Sequence, residues 1–177
     1  MRLDAFITKF EDNKLFDIVY YHNPSRWNSI DLNQININES DWSNEMKFLA
    51  PNGLDISDDV KNLPNDMGGI YVFFIKGKLI PYFETYLAYI GRAQFTSSHN
   101  LRIRCHKYYY EFFKKDTRPK IFRLIDKWGD SLYLRYYPSN DNDLIKALES
   151  KLIKGLLPPF NDEIPDEIIY KPSEPAF

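Results

Sequence analysis

The stretch Gly69-Ile70-Tyr71-Val72-Phe73-Phe74-Ile75 constrains the fold of this chain more than any other. It is short, β-branched and aromatic, follows a glycine and ends at Lys76-Gly77-Lys78, which is the pattern of a buried strand. Tyr86-Leu87-Ala88-Tyr89-Ile90, closed by Gly91, reads as a second, antiparallel strand. Thr96-Ser97-Ser98 offer N-caps for a helix running to about Lys114. Pro119 sits in the first turn of a helix ending near Gly129. Leu132 to Tyr137, closed by Pro138, is a third strand, and Asp141-Asn142-Asp143 cap a helix stopped by Pro158-Pro159. This order predicts an α+β fold with a small, mostly antiparallel three-stranded sheet flanked by helices.

Upstream, residues 1–66 read as an acidic N-terminal extension with β content. Leu15 to Tyr21 is one strand candidate, and the spaced Ile30, Leu32, Ile35 and Ile37 are another. Pro51-Asn52-Gly53 and Pro64-Asn65-Asp66 are turn clusters. The core domain is expected over 67–163, with an acidic tail over 164–177. A chain of 177 residues with 44% hydrophobic residues can bury a core without staples. One cysteine excludes a disulfide framework and a multi-cysteine zinc site. The N-terminal stretch lacks a basic n-region before an apolar run, and no apolar run reaches the length of a membrane span. The expectation is a cytoplasmic protein in a reducing compartment, with no membrane partner.

Charge is unevenly spread. Residues 1–68 hold 6 basic and 12 acidic side chains, residues 69–161 hold 16 basic and 8 acidic, and residues 162–177 hold 1 basic and 5 acidic. A basic middle between acidic ends suggests a polyanion partner, or a segment neutralised by its own flanks. At about 100° per residue, Glu149 falls among Ile145, Leu148, Leu152 and Ile153 on the apolar arc of the last helix. A carboxylate there is either a structural ion pair or a functional group. On the earlier helix Arg104 falls beside Tyr108 at the edge of the core face, while Arg102 points towards solvent. Cys105 reads as a small core residue. His99 and His106 lack metal-ligand spacing, although His106 is placed to touch phosphate.

These segments together resemble the GIY-YIG nuclease family. Gly69-Ile70-Tyr71 supplies the first motif and Tyr89-Ile90-Gly91 the second. Asn100-Leu101-Arg102-Ile103-Arg104 is similar to the family's arginine helix start, with Tyr108 one turn on. Glu149 lies in Ala147-Leu148-Glu149-Ser150-Lys151-Leu152-Ile153, similar to the glutamate helix, and Leu157-Pro158-Pro159-Phe160-Asn161 is similar to the closing element. The resemblance covers about residues 67–163. Two departures stand out. The segment 72–88 between the two tyrosines is longer than the usual hairpin, and the link from Gly91 to the helix is also long.

The resemblance implies a Mg²⁺-dependent (or Mn²⁺-dependent) DNA endonuclease with a single metal site at Glu149, leaving 5′-phosphate and 3′-hydroxyl ends. Mg²⁺ can take one protein carboxylate and fill its other positions with waters and phosphate oxygens. Arg104 would pair with a phosphate oxygen. Tyr71 would orient or deprotonate the attacking water, its phenolate favoured by nearby cations. Tyr89 and Tyr108 would hydrogen-bond around the phosphate, and Asn161 would hold the glutamate loop or the metal shell. Arg92, Arg102, His106 and Lys107 are the expected nucleic-acid contacts. No zinc finger, helix-turn-helix or long basic tail is visible, which favours a compact restriction-like enzyme over a tethered mobile-element nuclease. A repair nuclease of the same fold, a non-catalytic binding module and a module gated by its acidic flanks are the alternatives. The N-terminal extension is free to extend the sheet or to form a homodimer contact.

Overall fold

The computed structural model describes residues 24–25, 37–77, 80, 85–114, 118–162 and 164–165. The strand expected at Leu15 to Tyr21, most of the Ile30 to Ile37 run, the middle of the segment between Tyr71 and Tyr89, and nearly all of the acidic tail lie outside these residues. The elements run β1 (Met46–Lys47), α1 (Asp58–Lys61), β2 (Gly68–Lys76), β3 (Thr85–Ala93), α2 (Leu101–Lys114), α3 (Pro119–Trp128), β4 (Leu132–Ser139) and α4 (Asn142–Leu156). The fold is α+β.

The four strands form one antiparallel sheet in the order β1-β4-β2-β3. The expected count was three. The additional strand, β1, pairs Met46 with Leu134 and Lys47 with Tyr133. A two-residue strand carries no periodicity, so only its partner β4 defines it. It adds to the outer side of β4 and leaves β3 as the opposite edge.

Side chains alternate across a strand, and here the alternation separates two cores. Tyr71, Phe73 and Ile75 of β2 pack with Leu101, Cys105, Tyr108, Ile121 and Leu124 from α2 and α3. Ile70 packs on the other face with Ile90 and with Ile145, Leu148 and Ile153 of α4. Burial on both faces explains why β2 reads as a continuous apolar run. Phe48, Ile56, Val60 and Leu63, from the segment before β2, join the α2 side of the core. Leu49 and Ile56 bridge around a tight turn in which Gly53 has φ of 66°, as Pro51-Asn52-Gly53 foretold.

The helix ends follow capping chemistry, with one correction. The cap of α2 is Asn100, whose Oδ1 accepts from the Ile103 amide at 2.9 Å. Thr96 instead closes the turn before it, accepting from the His99 amide at 3.0 Å. The next orphan amides of α2, on Leu101 and Arg102, donate to the carbonyls of Met67 and Pro64. Asp141 caps α4, accepting from the amides of Asp143 and Leu144 at 3.0 Å each. Leu157, at φ 46°, ends α4 in the left-handed region before Pro158-Pro159. Strand β4 continues through Pro138 to Ser139, two residues beyond the expected last residue, Tyr137. Among the described residues no helix is long and apolar enough to cross a membrane.

Edge strand β3 is covered where it borders the closing turn. The Phe160 amide donates to the Ala88 carbonyl at 3.0 Å. The Asn161 side chain accepts from the Ile90 amide at 3.0 Å and donates to the Ile90 carbonyl at 2.8 Å.

Gly91 stands directly opposite Tyr71 in the β2–β3 register. A Cβ on residue 91 would lie 2.4 Å from Tyr71 Oη and 2.5 Å from its Cζ. Gly91→Ala therefore forces the buried ring off its site, at a cost of about 1–3 kcal/mol for overpacking. Thermal unfolding of this variant is expected several degrees below the wild-type transition.

Candidate functional site

Three tyrosines from three elements bring their hydroxyls together. Tyr71 comes from β2, Tyr89 from the neighbouring edge strand and Tyr108 from α2, which crosses that face. Their rings meet edge-on or tilted, with centroids 6.0 to 6.4 Å apart. Tyr71 Oη lies 2.7 Å from Tyr108 Oη, which lies 3.1 Å from Tyr89 Oη. Tyr71 is fully buried and Tyr108 almost so.

An arginine closes each end of this hydroxyl chain. Arg104 donates from Nε to Tyr71 Oη at 3.2 Å, with its guanidinium 5.1 Å from the centre of the Tyr108 ring. Arg118 donates from Nη2 to Tyr89 Oη at 2.9 Å and lies 3.5 Å from Tyr108 Oη. Each end oxygen accepts from an arginine, so its own proton is directed elsewhere, towards Tyr108 or outwards.

Burial pushes the Tyr71 phenol well above the ordinary value, reinforced by Tyr108 and Tyr89 and only partly opposed by Arg104. Tyr108 is raised in the same way, chiefly by burial. Of the cations expected to favour the phenolate of Tyr71, Arg104 is outweighed by desolvation. Cys105, also buried, has its thiol pushed up to about 12 by desolvation and is a core residue, as expected.

Beside this cluster lies a cleft of about 690 Å³, lined by Tyr89, Arg92, Arg104, Arg118, Glu149 and Asn161 among others. Tyr71 and Tyr108 stand behind its wall. Glu149 reaches it from α4 on the opposite face of the sheet, so the cleft joins the two faces around the edge of β3. The Glu149 carboxylate is mostly buried and pairs through Oε2 with Arg92, the residue after Gly91. Burial raises its pKa, against the pull of Arg92, Arg104 and Arg118.

The structure thus gathers Tyr71, Tyr89, Arg104, Tyr108, Glu149, Asn161 and Arg92 into one region. Asn161 clamps the closing turn onto Ile90 and does not touch the glutamate. Arg102, His106 and Lys107 lie elsewhere. Arg102, expected to face solvent, donates from Nε to the Leu63 carbonyl, and His106 Nε2 donates to the Val60 carbonyl at 3.0 Å. Lys107 pairs with Glu111 one turn on, at 3.2 Å. The helical projection separates Arg102 from Arg104, but the flank it assigned to solvent is covered by residues 60–64. Arg118 was not foreseen. Its one signal is the following Pro119, which holds it extended at φ −56° and ψ 137° at the start of α3.

Comparison with protein-family models, with curated proteins and with solved structures finds no match.

Chemically, the cleft offers three guanidiniums, two carboxylates (Glu149 and Asp162) and a phenol hydroxyl, and the guanidiniums suit an anion with several oxygens. Among the described residues no three His, Cys, Asp or Glu side chains gather as a ligand cage. One glutamate in an open cleft still fits a hard divalent ion that keeps its waters and shares phosphate oxygens. Arg92 must then yield Oε2.

The raised phenols carry a pH signature. Both bind their protons more tightly folded than unfolded. Their contribution to stability is intact below about pH 10, the ordinary phenol value, and is lost as pH rises beyond it. The unfolding free energy from urea titration is expected to hold to about pH 9, then to fall by about 1.4 kcal/mol per pH unit for each such tyrosine. Tyr108→Phe should lower stability at neutral pH by about 1–3 kcal/mol, because Tyr71 loses a buried partner, and should flatten the alkaline fall.

Proposed function

We propose that the chain is a metal-dependent endonuclease that hydrolyses DNA phosphodiester bonds, with Mg²⁺ or Mn²⁺ as its cofactor and a GIY-YIG-like catalytic fold. One observation carries the reading. Arg104, locked to a hydroxyl chain of three tyrosines, shares a cleft with the mostly buried Glu149, although the two come from opposite faces of the sheet. The basic character of residues 69–161 supports a polyanionic substrate.

Hydrolysis adds a water oxygen to phosphorus, breaks the bond to the 3′ oxygen and delivers a proton to that leaving oxygen. Glu149 is the residue that would hold the divalent ion. The ion, when bound, neutralises phosphate charge and assists departure of the 3′ oxygen. Arg104 pairs with a non-bridging oxygen on which charge builds, and its Nε bond to Tyr71 fixes the plane of the guanidinium. Tyr71, as a neutral phenol behind the wall, orients Arg104 rather than taking a proton. Tyr89, on the wall, is the hydroxyl placed to hydrogen-bond the phosphate or the attacking water. Arg92, paired with Glu149 in this structure, would be the cation displaced by a bound ion and would then face the nucleic-acid backbone.

Supercoiled plasmid incubated with Mg²⁺ is expected to be nicked or linearised, and chelation should stop the reaction. Glu149→Ala should abolish cutting while DNA binding persists. Arg104→Ala should slow it on the order of a hundredfold or more, and Arg102→Ala should stay near wild type. Plasmid left intact by the wild-type chain, or cut equally fast by Glu149→Ala, would refute the reading.

The Arg92–Glu149 pair favours one competing reading, a binding module in which the carboxylate only anchors an arginine. Persistent DNA binding without any Mg²⁺-dependent cutting would select it.

A further inference from the structure

Arg118 is joined by two other charged groups at the mouth of the cleft. Asp162, the first residue of the acidic C-terminal block, places Oδ2 3.5 Å from Arg118 Nη1 and Oδ1 3.8 Å from Lys120 Nζ. Lys120 Nζ also donates to the Asn161 carbonyl at 2.7 Å. All three side chains are partly exposed, at 45% for Arg118, 45% for Lys120 and 39% for Asp162. Arg118 meanwhile keeps its bond to Tyr89 Oη, the hydroxyl on the cleft wall. An anion therefore already sits on a pair of cations, one of which, Arg118, is held by the same hydroxyl chain that fixes Arg104. Its contacts are long and solvent-exposed, so they hold it weakly.

We infer that Arg118, held in place by Tyr89, and Lys120 form a second phosphate seat that takes a backbone phosphodiester flanking the scissile one, and that Asp162 occupies it until nucleic acid displaces it. The inference rests on the nuclease reading above. The chemistry is that of a phosphate monoanion replacing a carboxylate: the same charge, comparable acceptor oxygens and a forked guanidinium able to take two of them. The hydroxyl chain fixes the spacing of the two seats, because Arg104 is anchored at its Tyr71 end and Arg118 at its Tyr89 end. Arg118 is a positioning residue on this account. It sets where the strand lies, and Arg104 acts at the reacting phosphate. The carboxylate also screens the seat against free anions, since an incoming ligand must offer enough other contacts to expel it.

The test is fluorescence anisotropy of a labelled DNA duplex, titrated with full-length Glu149→Gln protein without Mg²⁺ over a range of salt. Phosphate contacts are sequence-independent, so any duplex serves. Adding Arg118→Ala should weaken binding about tenfold and lower the salt slope by about one. Arg118→Lys should recover part of the loss, and Lys120→Ala, at an exposed position, should weaken binding to a lesser degree. Asp162→Asn removes the competing charge and should tighten binding several-fold. A purely structural ion pair would not give that result, because breaking it would weaken binding or leave it unchanged. Affinity and slope that stay unchanged in all these variants would overturn the seat, as would Asp162→Asn binding more weakly than its parent. Plasmid cutting by the wild-type chain separates the two ideas. Cutting with unchanged binding in the variants leaves the nuclease standing without the seat. The expected binding changes without cutting leave the seat as a DNA contact and remove the nuclease. No duplex binding at all removes both.

Discussion

The Tyr71 ring occupies the space above residue 91, and most of the site depends on that close approach. Tyr71 and residue 91 face each other across β2 and β3, and only a residue without Cβ leaves room there. The ring then turns its hydroxyl towards Tyr108, and the Tyr108 hydroxyl passes the connection on to Tyr89. Two arginines that approach from different helices are thereby tied to one chain of oxygens. Buried phenols without partners would be costly. Each of these has at least two, so the cluster is both a core element and a template for the cleft.

Much of this was legible in the sequence, and the physical reasons are specific. Strand β2 could be read because burial on two faces leaves an unbroken apolar run. The helix faces could be read because a 3.6-residue period places Glu149 among the apolar side chains of α4 and Arg104 beside Tyr108. Both ends of α4 followed from Asp141 and Pro158. Strand β1 was not legible, because two residues paired to a neighbour leave no pattern. Nor was the covering of Arg102 and His106, which depends on where residues 60–64 pack in space. Arg118 reaches the hydroxyl chain from the turn before α3, where the following Pro119 marks an extended residue but not the side chains it will meet. The protonation of Tyr71 escaped for a related reason. A neighbouring cation can be guessed from motif spacing, but the degree of desolvation opposing it is known only once the core is assembled.

The electrostatic design of the cleft combines a raised carboxylate with a surplus of guanidinium charge. Glu149 is desolvated, which by itself favours its neutral form, yet three arginines hold it towards the ionised form. Arg92 neutralises it directly. At the mouth Asp162 does the same for Arg118 and Lys120. The cations of the site are thus largely compensated from within the chain, and the net positive charge of residues 69–161 is tempered where it is most concentrated. Any anionic ligand exchanges internal partners for external ones, so ionic strength and shape both influence what enters.

The side-chain amide of Asn161 presents to Ile90 one donor and one acceptor, the same pair that a neighbouring backbone would present. Among the described residues the sheet ends at that point on a two-atom imitation of another strand. An uncovered margin is where a second molecule can add by ladder pairing and begin a fibre. The plug keeps this border of the protein closed to such growth, and it does so with a group small enough to leave the adjoining cleft open.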